Sequence, residues 1–273
     1  MNFIEAPPRD HRADFRMLSR SRTRAVADSL EFVSRSVFRA YRRYSDRSAD
    51  ASRIRPIRAS LRLRRALASN YRVLRDDGIY GDLLQLTGGR CPLCGFGEAS
   101  TLEHYLPQSR YPEFSVFALN LIPACARCNL LKGDAIGITP ATQCLHAFFH
   151  ELPPFAVLFC SVDIEAGAAL VRYRLRTNRP INADLLARAT YHFEKLRLGD
   201  RFRRESLIEI GDRRSTFDEY VGPHNRFQNL REYLRREARG YQQQLGPNHW
   251  KTCLYTALAR NHHFWAGGYR NLA

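Results

Sequence analysis

Two Cys-x-x-Cys pairs are the part of this 273-residue sequence best suited to bind a metal. Cys91 and Cys94 form the first pair, and Cys125 and Cys128 form the second after 30 intervening residues. Four thiolates at this repeated spacing are typical of a closed, tetrahedral zinc site. The sequence therefore predicts a structural Zn²⁺ that joins the two ends of the intervening segment. The three other cysteines are expected to be small, buried side chains: Cys144, Cys160 and Cys253.

Polar residues between and just after these pairs suit the hydrolysis of a phosphodiester. Glu103 and His104 are adjacent, so on a strand they would point to opposite faces and offer a metal ligand and a base in different directions. Asn129 directly follows the second pair, and Asn120 begins the apolar run before it. Lys132 lies one helical turn after Asn129, where we expect it to meet a phosphate. A neutral imidazole takes a proton from water, while a hard cation held by carboxylate and amide oxygens stabilises charge on the phosphate.

The segment 91–134 resembles the HNH endonuclease module, which has a ββα-metal fold. The resemblance rests on four pieces of sequence: CPLC, LEHYLP, LNLIPAC and CARCNLLKGD. Glutamate replaces the commoner aspartate at position 103, and asparagine replaces histidine at position 129, so this is an HNN variant.

This resemblance implies a role for each polar residue. His104 would be the general base, and Glu103 and Asn129 would be ligands of a catalytic divalent cation. Asn120 would brace the loop that presents His104. Together, His104, Asn120 and Asn129 would form the catalytic group. Mg²⁺ is the expected catalytic cation, with Mn²⁺ and Ni²⁺ as alternatives. Lys132 stays the residue expected to contact nucleic acid.

The resemblance also implies a function: a metal-dependent endonuclease that cleaves double-stranded DNA with little sequence specificity. HNH proteins with helical flanks resemble effectors of bacterial anti-phage or restriction-type defence, which work beside a regulatory ATPase or sensor subunit. Two alternatives stay open. One is a non-catalytic, zinc-dependent nucleic-acid-binding or scaffold protein, and the other is an RNA- or tRNA-directed nuclease.

Positive charge is concentrated in the N-terminal part of the chain. The whole sequence has a formal net charge of +16, and residues 9–75 contain 19 arginines but six acidic residues. Such an excess favours a polyanionic partner, most simply nucleic acid. The whole protein prefers arginine, with 40 arginines and three lysines, so the use of arginine in this region is weak evidence for a nucleic-acid partner. The uneven distribution of charge is the stronger evidence.

The elements that must position these residues are predicted to be mainly helical. Helical spacing occurs in residues 12–48 and 60–74, and a short helix at 79–89 leads into Cys91. TLEHYL and LNLIPA are expected to form two short strands, followed by a helix in CARCNLLKGD. Further along the chain we expect a β-hairpin at 155–177 and helices at 182–197, 201–219, 225–244 and 248–264.

The sequence therefore predicts a mainly α protein with a small α+β insert. We expect a basic helical region at 1–80, the HNH module with its structural zinc at 81–140, and a β-hairpin with a helical region at 141–273. No apolar stretch is long enough to cross a bilayer and no secretory signal is evident, so a cytoplasmic location without membrane partners is expected.

Overall fold

The computed structural model describes residues 3–76 and 78–271, and it shows a mainly helical protein with two small antiparallel sheets. This confirms the predicted mainly α class. The helices are α1 His11–Arg20, α2 Arg24–Asp46, α3 Leu61–Asp76, α4 Ile79–Gln85, α5 Ala126–Lys132, α6 Ala183–Lys195, α7 Leu198–Asp212, α8 Arg214–Val221, α9 Phe227–Leu245, α10 Trp250–Arg260 and α11 His262–Trp265. The strands are β1 Thr101–His104, β2 Leu121–Ala124, β3 Leu158–Glu165 and β4 Ala168–Leu175.

The chain divides into two compact units. The first unit comprises Met1–Glu151 and Ala183–Leu196, and it contains α1 to α6 with β1 and β2. The second comprises Leu152–Asn182 and Arg197–Ala273, and it contains β3, β4 and α7 to α11. The boundaries at residues 80 and 140, which follow from sequence composition, stay a prediction. None of the helices in the described part of the chain is both long and apolar enough to span a bilayer.

The core of the first unit is an aromatic cluster between α2 and the segment that follows β1. Buried side chains recur every three or four positions along α2, as expected for an amphipathic helix. Tyr41 stacks on Phe117 with ring centroids 4.0 Å apart, and Tyr44 meets Phe114 edge-on at 4.9 Å. These contacts hold α2 against the segment between β1 and β2.

The helical stretch predicted at 12–48 is interrupted, because α1 ends at Arg20 and α2 begins at Arg24. The Ser21 hydroxyl donates a hydrogen bond to the Leu18 carbonyl at the end of α1. A serine side chain that bonds to the backbone in this way offers an alternative to continuing the helix. The break allows α1 and α2 to pack against each other.

The predicted strand–strand–helix order in residues 101–134 is present. β1 and β2 pair antiparallel, with Thr101 opposite Ala124 and His104 opposite Leu121. α5 follows β2 directly and packs on β1. All four residues of β2 are buried, so this small sheet is an internal part of the first unit.

The second unit contains the predicted hairpin, β3 and β4, joined by a tight turn at Ala166 and Gly167 with positive φ angles. Two of the predicted helices are interrupted here. The 201–219 stretch divides at Arg213 into α7 and α8, and the 248–264 stretch divides at Asn261 into α10 and α11. The Asn261 carboxamide explains the second break, since its oxygen caps α11 by accepting from the Phe264 backbone N–H.

Candidate metal centre and adjacent polar site

The first cysteine pair lies on a tight turn that depends on two glycines. The Gly95 backbone N–H donates to the Cys91 carbonyl at 2.8 Å, and Gly95 has a φ of +82°. The Gly97 N–H donates to Cys94 Sγ at 3.3 Å. A Cβ on Gly97 would lie 2.9 Å from Cys125 Sγ, so a side chain at this position would crowd the cluster.

The second pair begins α5 and completes a four-sulfur cluster. Cys125 is the N-cap residue of α5, and its sulfur accepts from the Cys128 backbone N–H at 3.4 Å. All four cysteines are buried, and their sulfur atoms lie within 4.8 Å of one another. Cys94 Sγ and Cys125 Sγ are 3.9 Å apart. Because a tetrahedron of 2.3 Å zinc–sulfur bonds separates its sulfurs by about 3.8 Å, the cluster can hold a structural metal such as Zn²⁺.

The cluster also favours thiolate character at two sulfurs, those of Cys94 and Cys125. The hydrogen bond with Cys125 raises the pKa of Cys94, but bonds from Cys128 and Cys91 outweigh it and lower that pKa to about 6. Hydrogen bonding from the Cys128 thiol, with further bonds from Cys91 and Cys94, lowers the pKa of Cys125 below its usual range. Thiolates are the form that binds metal. Of the three cysteines outside the cluster, Cys144 and Cys253 are buried, as predicted, while Cys160 is half-buried.

Glu103 and Lys132 form a buried ion pair on the face of β1 that α5 covers. The Lys132 ammonium lies 2.5 Å from Glu103 Oε1, and the two side chains are 4% and 5% exposed respectively. Lys132 Nζ also donates to the carbonyls of His104, at 2.8 Å, and Gly133, at 3.4 Å. Burial raises the pKa of Glu103, and the nearby Lys132 opposes that rise. The structure therefore places the Lys132 ammonium inside the module, against Glu103, and not at the surface where the sequence predicts a phosphate contact.

Asn129 lies on the same face of β1 as Glu103. Its Nδ2 donates to Thr101 Oγ1 at 3.0 Å, and Thr101 and Glu103 are two residues apart on the strand, so both point to one side. The spacing of Asn129 and Lys132 along α5 brings both side chains to β1, one turn apart. The two residues predicted to bind the catalytic cation are thus brought to one face of β1.

His104 points to the opposite face, where its ring is held by two contacts. Its Nε2 lies 3.0 Å from the Ser115 carbonyl oxygen, which can only accept, so Nε2 carries the proton. The Tyr71 ring meets the imidazole edge-on at 4.6 Å. Burial lowers the pKa of His104 to about 4. At neutral pH the imidazole is therefore uncharged, with Nδ1 free to accept a proton.

Asn120 is fully buried and joins the two ends of the segment that carries Ser115. Its Oδ1 accepts from the Leu106 backbone N–H at 2.8 Å, and its Nδ2 donates to the Leu106 and Phe114 carbonyls at 3.1 and 3.3 Å. Because Phe114 directly precedes Ser115, these bonds fix the backbone that accepts from His104. The arrangement agrees with the bracing role that the sequence resemblance implies for Asn120.

A second layer of buried groups holds Asn120. The Tyr44 hydroxyl donates to Asn120 Oδ1 at 2.9 Å and lies 3.0 Å from His146 Nε2. His146 Nδ1 accepts from the Phe148 backbone N–H, so Nε2 is the protonated nitrogen that donates to Tyr44. Burial lowers the pKa of His146 well below its usual value, which keeps it neutral.

Sequence reasoning does not identify three residues that position His104: Tyr44, Tyr71 and Ser115. Tyr44 and Tyr71 look like ordinary apolar positions of amphipathic helices, and Ser115 acts through its backbone carbonyl, which any residue would provide. Of the three, Tyr44 alone has a sequence signal, since a tyrosine at a fully buried helical position needs a hydrogen-bond partner.

A catalytic cation is compatible with the donor chemistry of this site. Glu103 and Asn129 offer the carboxylate and amide oxygens that Mg²⁺ prefers, and Mg²⁺ usually takes one or two carboxylates and keeps several waters. Among the described residues, the cysteine cluster is the only group of three or more His, Cys, Asp or Glu side chains close enough to hold a metal. A cation at Glu103 would therefore take its other ligands from amide, water and phosphate oxygens, and it would compete with the Lys132 ammonium.

Comparisons with known proteins show a similarity to a phage protein and no match to a family. No protein-family model matches the chain, and no solved structure matches it. The chain is similar to a protein named "Protein ea31" from Escherichia phage lambda, with 28% identity over 199 residues. The matched region covers 69% of this chain and 67% of the phage protein. That name states no activity.

Proposed function

We propose that this protein is a metal-dependent endonuclease of the HNH type, in which a zinc-clamped ββα-metal module hydrolyses phosphodiester bonds in DNA. The observation that carries the proposal is the state of His104. The imidazole is neutral, its Nε2 proton is committed to the Ser115 carbonyl, and its Nδ1 is the basic nitrogen. A neutral histidine that is fixed in one tautomer and keeps a basic ring nitrogen is suited to general-base chemistry.

In this proposal each residue has one task. His104 Nδ1 removes a proton from the attacking water, while the Ser115 carbonyl fixes the tautomer and the Tyr71 ring limits rotation. Asn120 keeps the Ser115 backbone in place. Glu103 and Asn129 would hold a divalent cation, which supplies charge stabilisation at the phosphate when it is bound.

The zinc cluster has a structural task. Cys125 and Cys128 fix the first turn of α5, and Asn129 is the next residue in the helix. Cys91 and Cys94 anchor the segment that leads into β1. A closed four-thiolate site leaves no position for substrate, so the zinc would contribute to folding and not to hydrolysis.

The test is cleavage of defined substrates by zinc-loaded protein. Supercoiled plasmid, single-stranded DNA and RNA are incubated in parallel with Mg²⁺, Mn²⁺ or Ni²⁺. We expect metal-dependent cleavage of the plasmid and a loss of about 10²-fold or more in His104→Ala. His263→Ala is the matched control, since His263 is an exposed histidine in the second unit. Preferential cleavage of RNA would instead favour the RNA- or tRNA-directed alternative.

We also propose a biological role as an effector of anti-phage or restriction-type defence, regulated by an ATPase or sensor partner. The support is indirect: a nuclease with little sequence specificity needs restraint, and the similar protein comes from a phage. Plaque counts on cells that express the chain with its genomic neighbours test the role. Equal protection by wild type and His104→Ala would contradict it.

One observation favours the non-catalytic alternative. The Glu103 carboxylate already has a buried counter-ion, Lys132, which could make it a purely structural group. A zinc-dependent binding or scaffold protein would bind nucleic acid without cutting it in the presence of every divalent metal tested. The same panel of substrates and metals therefore separates the two functions.

A further inference from the structure

A basic groove lies between α2 and α3, in the first unit. Its volume is about 550 Å³, and three arginines of α3 line it: Arg62, Arg65 and Arg72. The α2 side consists of the small or short residues Ala25, Val26 and Ser29. None of the described residues that line this groove is acidic.

The three arginines form one stripe along α3. They occupy positions i, i+3 and i+10 of the helix, and the intervening groove residue Ser69 lies at i+7. At a rise of 1.5 Å per residue, the stripe is about 15 Å long. Adjacent phosphates of one strand are spaced by about 3.4 Å along the axis of a duplex, so the stripe can face several phosphates.

No described acidic side chain lies within ion-pair distance of these arginines, unlike two arginines elsewhere in the same unit. Arg9 pairs with Asp14, and Arg188 pairs with Asp50. All three groove arginines are solvent-exposed, so their guanidinium groups can contact a ligand. The groove is thus a concave surface that exposes three arginine side chains.

The start of α2 adds to the same potential. α2 begins with Arg24, has no acidic residue in its first turn, and receives no side-chain cap from Thr23. An uncapped N-terminus carries partial positive charge from its backbone N–H groups, and acids are usually placed there to balance it. Ala25 and Val26 of this turn line the groove, so the helix end and the α3 arginines face the same space.

The groove is rigidly connected to the His104 site. Tyr71, the residue before Arg72, contacts the His104 ring and donates to the Leu102 carbonyl at 3.4 Å. Gln108, which also lines the groove, donates to the Ala68 carbonyl of α3 at 2.9 Å. The Arg72 end of the stripe is therefore next to the candidate catalytic face.

We infer that the α2–α3 groove binds the sugar-phosphate backbone of the nucleic acid whose phosphodiester lies at His104. This inference rests on the proposed function and adds to it the place where the strand lies on the protein. Binding through phosphates gives affinity with little dependence on base sequence.

The test measures binding separately from cleavage. The protein carries His104→Ala to prevent hydrolysis, is zinc-loaded, and is titrated into a fluorescein-labelled 30-base-pair duplex, with single-stranded DNA and RNA as parallel probes. The variant is Arg62→Gln with Arg65→Gln and Arg72→Gln. The matched control is Arg203→Gln with Arg204→Gln and Arg239→Gln, three exposed arginines of the second unit.

Loss of three phosphate contacts lowers the slope of log affinity against log salt by about 2.7 on a duplex and about 2.1 on a single strand, which corresponds to roughly 10²-fold weaker binding at 0.15 M salt. We expect this for the groove variant on the preferred probe, and a change below about threefold for the control. An unchanged salt slope, an equal loss in the control, or no binding of any probe overturns the inference. The wild type could show no cleavage while the groove variant still shows a selective loss of binding. That result would contradict the nuclease proposal and support the groove as a nucleic-acid-binding site.

Discussion

The cysteine cluster and the Glu103 group lie on the same short module, yet their ligand atoms are arranged very differently. Four sulfurs converge within 4.8 Å of one another, which is close enough for them to hold one zinc ion. At Glu103, by contrast, one carboxylate and one amide share a strand face, and a lysine ammonium already neutralises the carboxylate. The first group therefore offers a full set of four metal ligands within the fold, whereas the second offers one carboxylate that is paired with a lysine and one amide.

The largest expected effect comes from breaking the complete site. Cys128→Ser should release the zinc and unfold the module, because structural zinc contributes on the order of 10 kcal/mol of apparent binding free energy to small zinc domains. Metal content per chain and the urea unfolding midpoint are the measurements. Cys160→Ser, outside the cluster, should retain one zinc per chain. A folded Cys128→Ser protein with wild-type stability would show that the cluster is not structural.

Breaking the Glu103–Lys132 pair should have the next largest effect. Lys132→Met leaves a buried carboxylate without its counter-ion, which typically costs about 3–5 kcal/mol in the free energy of unfolding. The double variant Glu103→Gln with Lys132→Met removes both charges and should recover most of that loss. Urea denaturation of the zinc-loaded proteins measures both values. Additive losses in the double variant would mean that the pair is not coupled in solution.

The two asparagines of the polar site should behave differently. Asn120→Ala leaves several buried backbone groups without partners and should lower the free energy of unfolding by about 2–3 kcal/mol. Asn129→Ala removes one half-buried hydrogen bond and should cost about 1 kcal/mol or less. Cleavage should nevertheless be lost in both variants, since one would support the base and the other the cation. Wild-type cleavage by Asn129→Ala would remove it from the catalytic group.

A smaller effect is expected from pH. Burial lowers the pKa of His150 to about 4, and its Nδ1 accepts from the His146 backbone N–H. In the unfolded chain His150 binds a proton below about pH 6.5, whereas in the folded protein it binds one only below about pH 4. The free energy of unfolding therefore falls as the pH falls from about 6.5 to 4. Between pH 7.5 and 5.5 the loss from this group is about 1 kcal/mol. His150→Asn keeps an acceptor without a titrating ring, and thermal melts at both pH values should show a correspondingly smaller loss.

The parts of this protein that follow from local sequence rules could be predicted. The cysteine spacing, the two short strands, α5 ending before Gly133, and the β3–β4 hairpin are all present in the structure. Each depends on neighbours in the chain: a knuckle turn, an alternating strand pattern, or a glycine after a helix. The breaks at Ser21–Thr23 and Asn261 could not be predicted in the same way, because the helical spacing continues across them.

The polar site was predictable only in part, since its partners come from distant segments. The sequence predicts His104 and Glu103 on opposite faces of a strand, and they lie there. The Ser115 carbonyl, Tyr71 and Tyr44 come from other elements and carry no short-range signal. Lys132 shows the limit most clearly, because a lysine near a helix end is normally exposed, and tertiary contacts with Glu103 bury this one.

The most direct test of the central claim is cleavage of supercoiled plasmid by zinc-loaded wild-type protein and by His104→Ala, with and without Mg²⁺ or Mn²⁺. Both proteins should contain one zinc and unfold at similar urea concentrations, since His104 is outside the cluster. The wild type is expected to nick and linearise the plasmid only when the second metal is present, at least about 10²-fold faster than the variant. Equal cleavage by the two proteins, or none by the wild type with any divalent metal, would contradict the assignment of His104 as the base of a nuclease.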